Sequence, residues 1–240
     1  MGSVRTGVML AMPADEKNME KMPETVIFQR KYNGERCRVE WKEGKARLFS
    51  SCGNEFPFFG KIKEEIEKYG VEGINYDGEL YCHEMGREMI HGICSRRKNK
   101  HKDEDKLRLM VFDQISDEIQ YERLMTICFP DEAKFIEQTR SYLVSKSEIV
   151  NFADMFVKEG FEGVIVRDPN ATYKPRKCKS LLKFKPQESD EYVIVGFKEE
   201  ISIEGFGKNR LGAILVKDSD GAEFFVGSGN SLTVEGREYW

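Results

Sequence analysis

Short apolar runs of strand length punctuate most of the chain: TVIFQ, CRVEW, ARLFS, INYDGELYC, LRLMVFDQI, FEGVIVRD and LLKFKP. Some alternate with polar residues, as half-buried strands do, and others are continuously apolar, as strands covered on both faces are. Between them the period lengthens. GKIKEEIEKYG sets Ile62, Ile66 and Tyr69 on one helical face, and SEIVNFADMFVKEG sets Ile149, Phe152 and Phe156 on one stripe, with Ser147 as expected N-cap and Gly160 as terminator. After Pro186 the helical period disappears, and EYVIVGFKEE, LGAILVKDSDG and AEFFVGSGN read as three strands with turn-rich joins and no helix. The pattern predicts an α+β chain built on antiparallel hairpins, divided at QESD into a large domain, 1–186, and a small β-unit, 187–240.

Composition narrows the setting. With 240 residues, 40% hydrophobic and 33% charged, the chain suits a globular domain plus a small one. No apolar run reaches the roughly 18 residues of a membrane span, and MGSVRTGVMLAMPADEK lacks the apolar core of a secretory signal, so a cytoplasmic, nuclear or viral replication site is expected. Six cysteines without a CxxC pair fit a reducing compartment. CHEMGREMIHGIC gathers Cys82, His83, His91 and Cys94, but adjacent Cys82 and His83 point to opposite faces of a strand, which disfavours a tetrahedral zinc site.

A net charge of −4 excludes global steering toward nucleic acid. Local charge differs: SRRKNKHKDEDKLR carries seven Lys/Arg against three acids, and YKPRKCKSLLKFKP carries six with no acid. Such runs are usually solvated faces, yet Lys183 and Lys185 alternate about an aromatic in the second.

Several apolar runs end on groups that a quiet strand would not carry: Lys31, Asp77-Gly78-Glu79, Phe112-Asp113, Glu162, Arg167, Lys183 and Lys185. Carboxylates such as Glu79 and Glu162 opposite lysines are the ingredients for holding a divalent metal and a polyphosphate together, and Phe112 offers a stacking face. Each has a bland reading beside it. Asn33-Gly34 between TVIF and CRVEW fits a hairpin turn with Lys31 as a solvated flank, Phe112 fits a core aromatic, and Arg167 fits a surface ion pair.

The order KYNGER, DGEL, MVFDQI, FEGVIVR, LLKFKP resembles the nucleotidyltransferase motifs of ATP-dependent DNA ligases, relatives of RNA ligases and mRNA capping enzymes. The resemblance runs from about Met9 through Pro186 and implies an ATP-grasp-like adenylation domain of antiparallel sheets flanked by helices, followed by an incomplete OB-type β-unit. It implies that Lys31 is the nucleophile that carries AMP, with Lys183 and Lys185 on the α-phosphate. Glu79 would bind the ribose or support Mg2+ (or Mn2+), Glu162 would be a metal ligand, and Phe112 would stack on adenine. Gln29 would read the adenine amino edge, and Arg36, Arg167 and Arg176 would meet the nucleotide or the 5′-phosphate of nicked duplex DNA. A lysine nucleophile works as the neutral amine, roughly one part in a few thousand of an ordinary lysine at pH 7, so nearby cations and metal are expected to favour that form. Gly34 would let backbone approach the phosphates.

Three departures stand out. Asn33 replaces the usual aspartate, Ser51 in LFSSCGNEF replaces the usual arginine, and EGREYW ends the sequence before a five-stranded OB domain is complete. The last implies self-adenylation impaired more than sealing of an adenylated nick. The alternatives are an RNA ligase, less readily a capping enzyme, or a catalytically silent nucleic-acid-binding module. A monomer is the default for a nick, which is a single asymmetric substrate.

Overall fold

The structure is a computed structural model that describes residues 7–186, 190–227 and 233–238. In chain order the first part comprises β1 (Leu10–Pro13), α1 (Glu16–Met19), β2 (Thr25–Lys31), β3 (Glu35–Lys42), β4 (Lys45–Ser50), α2 (Gly60–Tyr69), β5 (Asn75–Tyr81), α3 (Arg87–Cys94), β6 (Arg108–Ile115), α4 (Gln120–Met125), β7 (Ile136–Gln138), β8 (Ser141–Ser145), α5 (Ile149–Lys158), β9 (Gly163–Arg167) and β10 (Lys177–Phe184). The strands form two five-stranded sheets, ordered β1-β10-β9-β2-β8 and β4-β3-β5-β6-β7. Most pairs are antiparallel, but β1 runs parallel to β10 and β7 parallel to β6, so each sheet is mixed rather than purely antiparallel.

The alternation of β2 positions the chemistry. Val26 and Phe28 point to one side, where they pack with Ala153 and Phe156 of α5 and with Val164, Val166 and Leu182. The Phe28 and Phe152 rings lie 5.1 Å apart. Ile27, Gln29 and Lys31, offset by one, therefore share the opposite face. Register carries that face across the sheet: Gln29 pairs with Ile165, Ile27 with Arg167, and Arg167 and Ile165 with Leu181 and Lys183. Burying Phe28, Ala153 and Phe156 completely fixes α5 behind the strand, each large side chain contributing about 1.5–3 kcal/mol.

Helix α5 starts and stops by other means than expected. Ser147 is not its cap; Ser145 caps a short 3-10 turn, accepting from the Ser147 amide at 3.3 Å, and α5 follows directly. At the far end Gly160 has φ +87°, and the Phe161 amide reaches back to the Phe156 carbonyl at 2.9 Å, a Schellman closure.

The hairpin reading of Asn33-Gly34 is overturned, because β2 and β3 belong to different sheets. The segment carries the chain from one sheet to the other. Gly34 is required by close approach: a Cβ there would stand 2.2 Å from the Leu80 carbonyl oxygen and 2.8 Å from Glu79 Cγ. The second half of the stretch weighed as a zinc site forms α3, whose Ile90, Ile93 and Cys94 are buried at helical spacing. His91 instead meets Glu35 at 2.9 Å and His83 meets the Tyr81 hydroxyl at 2.8 Å.

The chain divides into two compact units, Met1–Pro186 and Gln187–Trp240. In the second, β11 (Val193–Ile201), β12 (Gly207–Lys217) and β13 (Glu223–Gly227) form an antiparallel three-stranded sheet. The unit also has a short helix, α6 (Val234–Glu238), where the sequence reading had none. Glu200 ties it together, receiving Lys208 at 2.7 Å, Arg210 at 2.7 Å and Arg237 at 2.9 Å. No helix among the described residues is long and apolar enough to cross a membrane.

Candidate active site

A cavity of about 340 Å³ lies between the two sheets of the first unit. The first sheet supplies Gln29, Lys31, Ile165, Arg167, Leu181 and Lys183, the residues that register placed on one face. The second supplies Arg36, Glu79 and Phe112, and the crossing segment contributes Asn33 and Gly34. Arg36 and Glu79 are direct cross-strand partners on β3 and β5, which sets their side chains on the same face.

Lys31 Nζ is ion-paired with Glu162 Oε2, and the Glu162 amide donates to the Lys31 carbonyl at 3.0 Å. Lys185 approaches the other carboxylate oxygen at 3.5 Å. Burial raises the Glu162 carboxyl, but the hydrogen bond and charge of Lys31, with Lys185 behind, hold it below its ordinary value. The nearest charge to the Lys31 ammonium is thus a carboxylate rather than the cations expected from sequence. Glu79 behaves oppositely: burial pushes it up to about 7, with Glu35 adding, against Arg36, Lys31 and the Gly34 amide.

Arg36 borders the cavity but is held from behind. Its Nε and Nη2 grip Asp77 at 2.6 and 2.5 Å, and its guanidinium stands 4.6 Å from the Phe112 ring centre. Burial opposes that charge, yet Asp77 keeps the guanidinium protonated even more firmly than an ordinary arginine. Phe112 borders the cavity, is 9% exposed and also carries the Arg167 guanidinium at 5.3 Å.

Arg167 lines the cavity but is 3% exposed, and it donates to Gln29 Oε1 at 2.6 Å, Asp113 Oδ2 at 2.8 Å and Gln120 Oε1 at 3.0 Å. Burial lowers its readiness to hold a proton, and Asp113 opposes that. Gln29, also in the cavity lining, donates from Nε2 to the Phe112 carbonyl at 3.1 Å and to Ser141 Oγ at 2.9 Å. Both side chains belong to an internal scaffold centred on Asp113, which Arg123 also grips at 2.8 and 3.1 Å. Arg176 is exposed on the segment before β10 and does not border the cavity.

Sequence reasoning assigned no role to Asp77, Asp113, Arg123 or Tyr173. The first two stood in quoted motifs, and a charge inside an otherwise apolar strand was the available signal. Ser51 does border the cavity and is buried, at 8% exposure.

The donor set at the cavity suits a nucleotide and a hard cation: Lys31, Lys183 and Arg36 bring positive charge, and Glu79 and Glu162 bring carboxylate oxygens that could serve as ligands. Among the described residues no three His, Cys, Asp or Glu gather as a metal cage. Magnesium fits such a place, since it keeps waters and phosphate oxygens among its ligands.

Two sheets closing on a lysine-bearing cleft define the nucleotidyltransferase class of adenylation domains. Residues 8–185 match the family model described as ATP dependent DNA ligase domain, and the chain belongs to that family. It is 31% identical over 206 residues to a DNA ligase of African swine fever virus, a match covering 79% of this chain and 47% of the viral protein. The chain thus spans about half the length of the curated relatives it matches. A solved Lig E DNA ligase shares the fold with TM-score 0.74 at 19% identity, covering 97% of this chain and 87% of that one. The Chlorella virus DNA ligase-adenylate does so with TM-score 0.61 at 18% identity, covering 98% and 86%.

Proposed function

We propose that this chain is the catalytic part of an ATP-dependent DNA ligase, working as a monomer, that seals a 5′-phosphate to a 3′-hydroxyl in nicked duplex DNA. The observation that carries this reading is Lys31, ion-paired with Glu162 beside a cavity that also collects Glu79, Phe112, Arg36 and Lys183. The family match supports the ATP and DNA substrates.

Lys31 Nζ, once deprotonated, attacks the α-phosphorus of ATP; the P–N bond forms and the bond to pyrophosphate breaks. Loss of a proton from Lys31 to solvent, with its release from Glu162, is the first requirement, since the ammonium has no lone pair. Lys183 and Lys185 then stand where phosphate charge accumulates, and Gly34 allows the crossing backbone to approach it. Magnesium, held by Glu162 and Glu79 together with phosphate oxygens, would supply charge neutralisation. In the second transfer an oxygen of the nick 5′-phosphate attacks the adenylyl phosphorus and frees the Lys31 amine. In the third the 3′-hydroxyl attacks the activated 5′-phosphate and AMP departs. Exposed cations of segments 96–108 and 173–186, Arg176 included, hold the duplex phosphates. The small β-unit, 187–240, acts as an OB-type partner in gripping DNA.

The test is sealing of an end-labelled nicked duplex with ATP and magnesium. Sealing is expected for the wild type on DNA and not for Lys31→Ala. Sealing of an RNA nick in preference to DNA, or undiminished sealing by Lys31→Ala, contradicts the reading.

A further inference from the structure

Tyr173 takes no part in the chemistry above, yet its hydroxyl reaches the counterion of Arg36. The ring is 7% exposed and packs with Met9 and Leu181, while Arg123 stands 5.5 Å from its centre. Its hydroxyl donates to Asp77 Oδ2 at 2.6 Å and accepts from the Met9 amide at 3.0 Å. Asp77, 1% exposed, is the carboxylate that grips Arg36, and Arg36 Nη2 donates in turn to the Met9 carbonyl at 3.2 Å. Tyr173, Asp77, Arg36 and the Met9 backbone therefore close a ring of hydrogen-bonded groups, one of which borders the nucleotide-sized cavity.

The chain leaving Tyr173 is basic and exposed: Lys174, Arg176, Lys177 and Lys179 follow within six residues. Just before Tyr173 the same segment is clamped from the other side. The Ala171 carbonyl accepts from the Gln120 amide at 2.9 Å and from Arg123 Nη1 at 3.1 Å. The basic segment thus emerges from a fixed anchor whose tyrosine hydroxyl shares an acceptor with Arg36. Groups on one buried carboxylate are energetically coupled, because withdrawing one donor changes how the others are held.

We propose that Tyr173 is a positioning residue that couples the basic segment 174–179, as a nucleic-acid phosphate-binding element, to Arg36 in the nucleotide cavity. Seating of a phosphodiester strand on the segment and the placement of Arg36 are then one event. The inference rests on the ligase reading.

Tyr173→Phe in the full chain keeps the ring and removes only the hydroxyl. The KM for nicked duplex is expected to rise about tenfold, well beyond any change in the KM for ATP, with a thermal midpoint close to wild type. With Arg36→Lys in the same chain, the two effects on nick KM are expected to be non-additive. Equal changes in both KM values, an unchanged nick KM, or strict additivity overturns the coupling. Should Tyr173→Phe not fold, Arg176→Ala at its exposed position serves: a raised nick KM is expected, and an unchanged one overturns the assignment of the segment. A wild type that neither adenylates nor binds the nick overturns the ligase reading itself, which separates the two failures.

Discussion

Asp113 shows how much a single residue holds at this site. It is fully buried between Arg123, also fully buried, and Arg167, 3% exposed. Asp113→Asn leaves two buried guanidinium groups without their counterion and is expected to cost about 3–5 kcal/mol, read by denaturant unfolding. A loss below about 1 kcal/mol would contradict the scaffold role. Glu79 gives a pH signature. Its folded value of about 7 lies above the ordinary 4.5, so the stability it contributes is complete below about 4.5 and is lost as the pH rises through about 7. In nucleotide-free protein, Glu79→Gln is therefore expected to gain melting temperature relative to wild type between about pH 5 and about pH 8; a constant offset would refute this. That Lys31, Glu79 and Glu162 gather at one cavity was legible, because each is a charged group ending an apolar run. The hydrogen-bond partners of Gln29 and Arg167 were not, because Phe112, Asp113 and Gln120 come from the other sheet and a helix beside it, and strand periodicity does not say which sheets face each other.

At the scale of elements, the long or strongly periodic segments were legible: β2, β3, β5, β6, β9 and β10, with α2 and α5. What escaped was short or disguised. β7 has three residues and β1 four, too few for any period to register, and the Cys and His of α3 drew attention from its buried Ile90 and Ile93. The Asn33-Gly34 crossing escaped for a different reason: a hairpin and an inter-sheet connection share the same turn residues, and only tertiary pairing separates them. Two glycines distinguish site from scaffold. Gly34→Ala forces a Cβ into the Leu80 carbonyl and Glu79, and is expected to cost about 1–3 kcal/mol and to abolish adenylation. Gly160→Ala strains a φ of +87° at the end of α5 and is expected to cost about 1 kcal/mol while adenylation persists. Equal adenylation by both variants would contradict the assignment of the crossing segment to the site.

Across the whole molecule, charge is arranged against its own average. The net −4 repels a polyanion, while the cations of 173–186 gather on the segment and strand beside the cleft. Binding to nicked duplex is expected to weaken steeply with salt, log Kd changing linearly with log salt as counterions are released; a flat response would show that those cations do not meet phosphate. All of this rests on one covalent event at Lys31. The direct measurement is incubation of the full chain with α-labelled ATP and magnesium, followed by peptide mapping of the acid-labile adduct. One adenylyl group on the peptide containing Lys31, absent in Lys31→Ala, is the predicted result. No adduct in the wild type, or an adduct that survives Lys31→Ala, would contradict the account.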